Sequence, residues 1–350
     1  MTSTPYIPLE YRDGRLRWID QTKLPQELLY RESADWRDVV AAIQRLELRG
    51  APLLGIAGAY AVVLLLNGLS KTKQIFNDLD DDELQQLTEI GRARPTAVNL
   101  MIAVQRLLDA IRQNPQEDFR EVALHEAEKI ADYERKACEK ISHFGATHLR
   151  DCKTFLTHCN TGPLATGGMG TAFGVVMECY RRNILVQVFA TDTQPLRQGA
   201  RLTVWEFQQW GVPVTLIPDT AAAGLLRSGT IDAVVVGADR VTRNGDFANK
   251  VGTAGLAGIA HLTNTPFYSA FPWSTIDANL LYGSEISIEE RSPQEVLGTL
   301  GYPIGQEPPV WNPAFDVTPH TWVSGYITDR GVFTRDTFTQ QIAAPAAETE

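Results

Sequence analysis

Two stretches of the 350-residue chain put reactive side chains at positions suited to chemistry. The first, residues 155–174 (FLTHCNTGPLATGGMGTAFG), sets Cys159 between a β-like run and a glycine-rich turn. A thiol at a strand end beside a helix N-terminus can act as acid, base or nucleophile, although most cysteines are small buried hydrophobes with no chemical duty. His158 precedes it directly, but alternation along a strand sends the two side chains to opposite faces, which disfavours a Cys/His dyad. The second stretch, residues 234–255 (VVVGADRVTRNGDFANKVGTAG), carries an aliphatic strand to Gly237 and then presents Asp239. Over an apolar floor a carboxyl group moves towards general-acid range; its alternative duty is to cap the next segment.

The residues around these two are suited to anions. Gly168, Gly170 and Gly174 read G-x-G-x-x-x-G, not the G-x-G-x-x-G of a dinucleotide site, and no G-K-S/T follows to make a P-loop. Phosphate binding at the following helix start and tight strand–helix packing both remain open for this turn. Asn249 and Lys250 precede a small-residue helix whose N-terminus can share an anion with the lysine, the alternative being a plain surface charge. Arg49 in LRGAPLLG and Arg94 in RARPTAVNL each stand just ahead of a proline-introduced helix, where a guanidinium fork can clamp a phosphate or merely pair locally.

The elements that must position these groups fall into two styles. After a hairpin-like opening with Asp13 and Gly14 at its turn, the first third reads as helical. Asp35 is expected to cap a helix carrying Val39, Val40, Ile43 and Leu46 on one face, and Pro95 to introduce another through Val98, Met101, Ile102 and Leu108. NDLDDDELQQL reads as a solvated loop and helix start, and residues 116–144 as a charged helix leading into the second half of the chain. From Thr154 the rhythm changes: TFLTH, ILVQVFA, PVTLIP, DAVVVGA and TPFYSAF alternate with helix-length segments, the pattern of β-α units and a mainly parallel sheet. Such sheets bind ligands beyond the carboxyl ends of their strands, where Cys159, Asp192, Asp219, Asp239 and PWST fall. The predicted fold is therefore α/β: a smaller, mostly helical domain over 1–125, a Rossmann-like domain over 126–340, and a flexible tail over 341–350.

Composition limits the partners. A net charge of -10 argues against broad binding to nucleic acid or an anionic membrane, so any anionic ligand must be held locally. The apolar run 51–66 is shorter than the ~20 residues of a membrane span and reads as a buried helix. Four cysteines without a C-x-x-C pair fit neither a zinc site nor a disulfide framework and suit a cytoplasmic protein. The N-terminus has neither a basic start nor an apolar core, so no signal peptide is expected.

RGAPLLG, RPTAVNL, THCNTGPLAT, QGARLT, VGADRVTRNGDFANKVGT, STID, IEER and NPAFDVTP occur in order along nearly the whole chain, and together they resemble the aldose-1-phosphate isomerase family, most closely its branch in methionine salvage. The resemblance implies a helical domain against a Rossmann-like domain, a homodimer, a site in the cleft between the domains, and no metal or redox cofactor. It assigns the chemistry to Cys159 and Asp239, and substrate contacts to Arg49, Gly50, Ala51, Arg94, Gln198, Asn249 and Lys250. The implied reaction converts 5-methylthioribose 1-phosphate to 5-methylthioribulose 1-phosphate. The same fold occurs in regulatory subunits of the translation-initiation exchange factor, which generally lack the paired catalytic residues. Asp192 and Gln194 stand where the family pattern has Glu and Arg, Met169 replaces an aromatic residue, and Trp273 makes FPWSTID atypical. These departures leave the sugar 5-substituent open, with 5-deoxyribose 1-phosphate and ribose 1,5-bisphosphate as alternative substrates.

Overall fold

Residues 4–94, 98–298, 300–303 and 305–343 are described by a computed structural model. The chain forms two compact units, residues 1–137 with 162–170, and residues 138–161 with 171–350.

The first unit opens with an antiparallel sheet of β1 (Leu9–Arg12), β2 (Arg15–Ile19) and β3 (Tyr30–Ser33), with Asp13 and Gly14 at the first turn. Helix α1 (Trp36–Gln44) starts where the Asp35 carboxylate accepts the Arg37 N–H at 2.9 Å, satisfying one of the donors that a helix start leaves open. Val39, Val40 and Ile43 are buried on its inner face. Leu46, expected on that face, lies beyond the helix end in a left-handed conformation with φ 61°.

Helix α2 (Ala51–Gly68) is apolar all round, and every side chain from Leu53 to Leu66 is buried, as a helix at the centre of a core requires. It begins at Gly50, whose φ is 97° and whose missing Cβ would lie 2.5 Å from the Ala165 backbone. That close approach joins 162–170, including the short α6 (Pro163–Thr166), to the first unit. Helix α3 (Asp81–Gly91) starts from a reciprocal capping box between Asp80 and Glu83.

Helix α4 (Val98–Gln113) corrects the sequence expectation. Its buried stripe is Leu100, Ala103, Val104, Leu107, Leu108 and Ile111, whereas Met101 and Ile102 are 39% and 54% exposed. The apolar residues here exceed one face, and the longer run at i, i+3, i+4 spacing takes the core. Pro95 lies outside the described residues. Helix α5 (Phe119–His148) runs on past residue 125 and serves both units: Ala123, Ala127 and Ile130 join the first core, Ile141 and Ala146 the second.

In the second unit, seven strands form one sheet in the order β13-β12-β10-β7-β4-β5-β6. These are β4 (Thr154–Thr157), β5 (Gln187–Thr191), β6 (Val214–Ile217), β7 (Ala233–Val236), β10 (Phe267–Ala270), β12 (Gly325–Thr328) and β13 (Gly331–Phe333), all parallel except the edge pair β12–β13. Phe155, Val188 and Val235 pack on one face with Phe173 and Val176 of α7 (Ala172–Arg181) and Phe207 of α8 (Val204–Gln209). Leu156, Val234 and Val236 pack on the other with Leu226 of α9 (Ala222–Arg227), Leu256 of α10 (Thr253–Leu262) and Phe338 of α12 (Arg335–Ala343). Burial on both faces explains the unbroken aliphatic strands. A small antiparallel sheet of β8 (Arg240–Val241), β9 (Phe247–Lys250) and β11 (Phe315–Thr318) comes after β7, and a short α11 (Gln294–Leu297) lies in the loop before β11. Residues 341–343, expected in a flexible tail, end α12; the rest of that expected tail, 344–350, lies outside the described residues.

From β4 the chain winds outward through β5 and β6, then returns and winds the other way from β7 through β10 and β12. The direction reverses between β4 and β7, and the carboxyl ends of such a pair are where open α/β sheets leave a ligand crevice. Just beyond β5, a π-helical turn (Gly199–Thr203) leads into α8. It presses on the strand end so closely that a Cβ on Gly199 would sit 1.8 Å from the Thr191 carbonyl oxygen. Gly199→Ala must therefore displace backbone, and we expect a loss of about 1–3 kcal/mol in urea unfolding; an unchanged midpoint contradicts the close approach.

Candidate active site

Cys159 follows β4 and Asp239 follows β7, so the two stand at the carboxyl ends of neighbouring parallel strands, on either side of the winding reversal. Adjacent strands lie about 4.8 Å apart, close enough for groups at the two ends to act on one small molecule. Both residues are half-buried.

Cys159 leaves the strand in a left-handed conformation, φ 66°, which costs a residue with a side chain about 1–3 kcal/mol unless its surroundings enforce it. Its N–H donates to Thr193 Oγ1 at 2.9 Å, and its carbonyl accepts from Thr203 Oγ1 at 2.6 Å. Next to it, Asn160 donates through Nδ2 to Thr203 Oγ1 at 3.2 Å and to the carboxylate of the buried Glu206. Sequence reasoning missed Thr193, Thr203, Asn160 and Glu206: Thr203 ends the π-helical turn, Thr193 is a left-handed residue past β5, and Asn160 and Glu206 meet only through the tertiary fold, none of which leaves a periodicity.

His158 is fully enclosed. Its Nε2 faces the Val251 carbonyl at 2.9 Å and its Nδ1 faces Thr191 Oγ1 at 2.7 Å, so the ring ties strand ends together. Burial holds its pKa below the ordinary imidazole value, which the Val251 carbonyl only partly offsets. A carbonyl can only accept, so Nε2 carries the proton and Nδ1 accepts from Thr191.

Asp239 stands at the entry to the small sheet, its N–H donating to the Ala248 carbonyl at 2.9 Å. The β8–β9 hairpin that starts there ends at Asn249 and Lys250. Asn249 is buried and donates to Thr253 Oγ1 at 3.0 Å, while Lys250 Nζ donates to the Ala314 carbonyl at 2.9 Å and lies 4.8 Å from the centre of the Phe315 ring. The start of α10, expected to share an anion with Lys250, is occupied by Asp316, whose carboxylate accepts from the Gly252 and Ala254 N–H groups at 2.7 and 3.0 Å. A carboxylate there satisfies the open donors and the positive end of the helix dipole.

Gln198, just before the π-helical turn, is 5% exposed, and its Oε1 has no hydrogen-bond partner among the described residues. A buried carbonyl oxygen without a donor is costly, and a ligand hydroxyl is one group that relieves it. The other strand-end carboxylates are engaged in the fold: Asp192 pairs with Arg197 at 2.9 Å, and Asp219 accepts the N–H groups of Thr193 and Gln194 at 2.6 and 2.8 Å.

Within the first unit, Arg49, Gly50 and Ala51 lie together at the start of α2, where no side chain caps the helix. Arg94 lies beyond the end of α3 and is half-buried. No group of three or more potential metal ligands occurs among the described residues.

Residues 47–335 match the model of the Initiation factor 2 subunit family. The methylthioribose-1-phosphate isomerase of Desulforamulus reducens is 45% identical over 327 residues, covering 92% of this chain and 94% of that protein. The protein of the same name from Geobacter metallireducens is 43% identical over 336 residues, covering 94% of this chain and 95% of that protein. Among solved structures, 5-methylthioribose 1-phosphate isomerase from Pyrococcus horikoshii superposes with a TM-score of 0.88 at 38% identity, covering 96% of this chain and 95% of that one. The translation initiation factor eIF-2B subunit delta from A. fulgidus superposes at 0.79 with 36% identity, covering 95% and 99%.

The hairpin carrying Asp239, Asn249 and Lys250 is pinned by Asp246, which accepts from His320 N and Nδ1 at 2.9 and 2.8 Å, Asn244 Nδ2 at 2.8 Å and Gly283 N at 3.0 Å. Burial pushes the Asp246 carboxyl up, but these donors together outweigh it and hold it below its ordinary 3.8. A lowered folded-state pKa contributes stability that is complete above the ordinary value and drains away as pH falls through the folded one. Urea unfolding between about pH 2 and 6 is expected to show this acid limb in the wild type and a flatter one in Asp246→Asn; identical slopes contradict the pinning.

Proposed function

This chain belongs to the Initiation factor 2 subunit family, and from that membership and its isomerase relatives we infer that it is an aldose–ketose isomerase of methionine salvage, converting 5-methylthioribose 1-phosphate to 5-methylthioribulose 1-phosphate. The observation that carries the reading is the pairing of Cys159 and Asp239 at the two strand ends where the sheet reverses direction.

The substrate's anomeric oxygen is locked in a phosphate ester, so the sugar cannot open to a free aldehyde by itself. Asp239, in its protonated form, gives its proton to the ring oxygen as the bond from that oxygen to C1 breaks. A hydrogen then moves from C2 to C1, the C2 hydroxyl gives up its proton to the Asp239 carboxylate and so restores the acid, and a C2 carbonyl remains beside the intact phosphate ester. Cys159 serves this transfer, as the base of a proton shuttle or as a wall of the dry pocket in which a hydride migrates. Carbon-bound deuterium in product formed in heavy water supports the shuttle.

Gln198, Asn249 and Lys250 bind substrate, with the orphaned Gln198 oxygen accepting a sugar hydroxyl. Arg49, Gly50, Ala51 and Arg94 are assigned to substrate by their family motifs and by chemistry, since guanidinium groups and the N–H groups of a helix start both suit a phosphate. A homodimer and a cytoplasmic location complete the proposal. A second reading, an exchange-factor regulatory subunit, is favoured by the likeness to the A. fulgidus initiation-factor structure; it requires assembly with a translation factor and no sugar turnover.

Purified protein given 5-methylthioribose 1-phosphate, 5-deoxyribose 1-phosphate and ribose 1,5-bisphosphate separately should isomerise the first with the highest kcat/KM. Asp239→Asn is expected to lower that turnover by about 10²–10⁴-fold with the fold intact. Absence of turnover on all three sugars ends the isomerase reading, and near-normal turnover by Asp239→Asn removes the acid.

A further inference from the structure

Resting on the isomerase reading, we propose that Thr193 and Thr203 are positioning residues that clamp the Cys159 peptide from both sides and thereby aim its thiol at the substrate. The backbone is what requires a clamp. Cys159 has φ 66°, a conformation that a residue with a side chain adopts only when its surroundings enforce it. Neither flanking peptide group is held by the β4 ladder, which ends at Thr157.

Two threonine hydroxyls take the place of that ladder. Thr193 Oγ1 accepts the Cys159 N–H at 2.9 Å, and Thr203 Oγ1 donates to the Cys159 carbonyl at 2.6 Å. Each threonine is itself fixed by a different element. Thr193, also left-handed at φ 66°, has its N–H on Asp219 Oδ1 at 2.6 Å, which ties it to the end of β6. Thr203 closes the π-helical turn and receives Asn160 Nδ2. In an ordinary α-helix that residue's register would differ, and local π-turns recur where a side chain must be re-aimed at a functional site.

The hydroxyl protons have one consistent direction. Thr191 donates to His158 Nδ1 at 2.7 Å, because His158 Nε2 must give its own proton to the Val251 carbonyl at 2.9 Å. The Thr193 hydroxyl proton then has two acceptors, Thr191 Oγ1 at 3.1 Å and the Thr191 carbonyl at 3.3 Å, and with either one the Thr193 oxygen accepts from Cys159 N. The Cys159 peptide itself fixes the polarity of the clamp, since its N–H can only donate and its carbonyl can only accept, and the His158 ring anchors the far end of the hydroxyl chain. A neutral, buried ring suits that task. Thr191, Thr193 and Thr203 are all buried, so water does not compete for these hydroxyls.

The test uses the full chain with Thr193→Val and Thr203→Val, which keep side-chain shape and remove the hydroxyl, beside Thr193→Ser and Thr203→Ser, which keep it. A misplaced reacting group costs on the order of 10²-fold in rate, so each valine variant should lose about 10–100-fold in kcat while KM changes little. The serine variants should retain wild-type kcat. Independently of any sugar, alkylation of Cys159 by iodoacetamide, read by peptide mass, should speed up in the valine variants as the half-buried thiol loosens, and stay at the wild-type rate in the serine variants.

Valine variants that fold, keep kcat and keep the alkylation rate overturn the clamp, as do serine variants as impaired as the valine ones. A wild type without turnover removes the proposed function instead, and the alkylation comparison then decides the clamp alone. Where a valine variant does not fold, amide hydrogen exchange at Cys159 in the wild type decides. Protection comparable with β4 supports the clamp, and solvent-like exchange overturns it.

Discussion

A parallel sheet that starts at its middle and winds outward in two directions leaves its central pair of strand ends uncovered, because the crossover helices leave that pair on opposite faces. In this protein the central pair is β4 and β7. Apolar packing on both faces fixes those strands rigidly, so the residues just past their ends are held to the precision of the core. Cys159 and Asp239 occupy those two places, and the conformational devices of the second unit gather around them.

The devices are of different kinds on the two sides. On the β4 side, a left-handed cysteine is held by threonine hydroxyls brought in by the end of β5 and by a π-helical turn, with a buried histidine behind them. On the β7 side, the aspartate enters a small antiparallel sheet whose hairpin is fastened by Asp246, and whose end is covered by Asp316 at the start of α10. Carboxylates on backbone N–H groups brace both sides, Asp219 behind Thr193 and Asp316 at the start of α10, while the hydroxyl contacts to the Cys159 peptide are particular to the β4 side.

Much of this was legible in the sequence. The unbroken aliphatic runs announced strands buried on both faces, and their spacing announced parallel crossovers. Cys159 and Asp239 then fell at strand ends without any further assumption. The rest depended on tertiary choice. Met101 and Ile102 were as good a core face as Leu100 and Ala103 until packing chose between two overlapping stripes. The boundary between the units could not be read inside α5, which carries apolar residues for both cores on one uninterrupted helix. Asp316 displaced the expected anion at α10 from far along the chain, and Thr193 and Thr203 owe their roles to a π-turn and to left-handed residues that leave no pattern in composition or period.

If one pentose phosphate meets both strand ends at once, a crystal structure with bound 5-methylthioribulose 1-phosphate must show it most directly. C1 and C2 of the sugar are predicted within van der Waals contact of Cys159 Sγ, with the oxygen released by ring opening in hydrogen-bond reach of the Asp239 carboxyl. A sugar seated away from either residue contradicts that shared site.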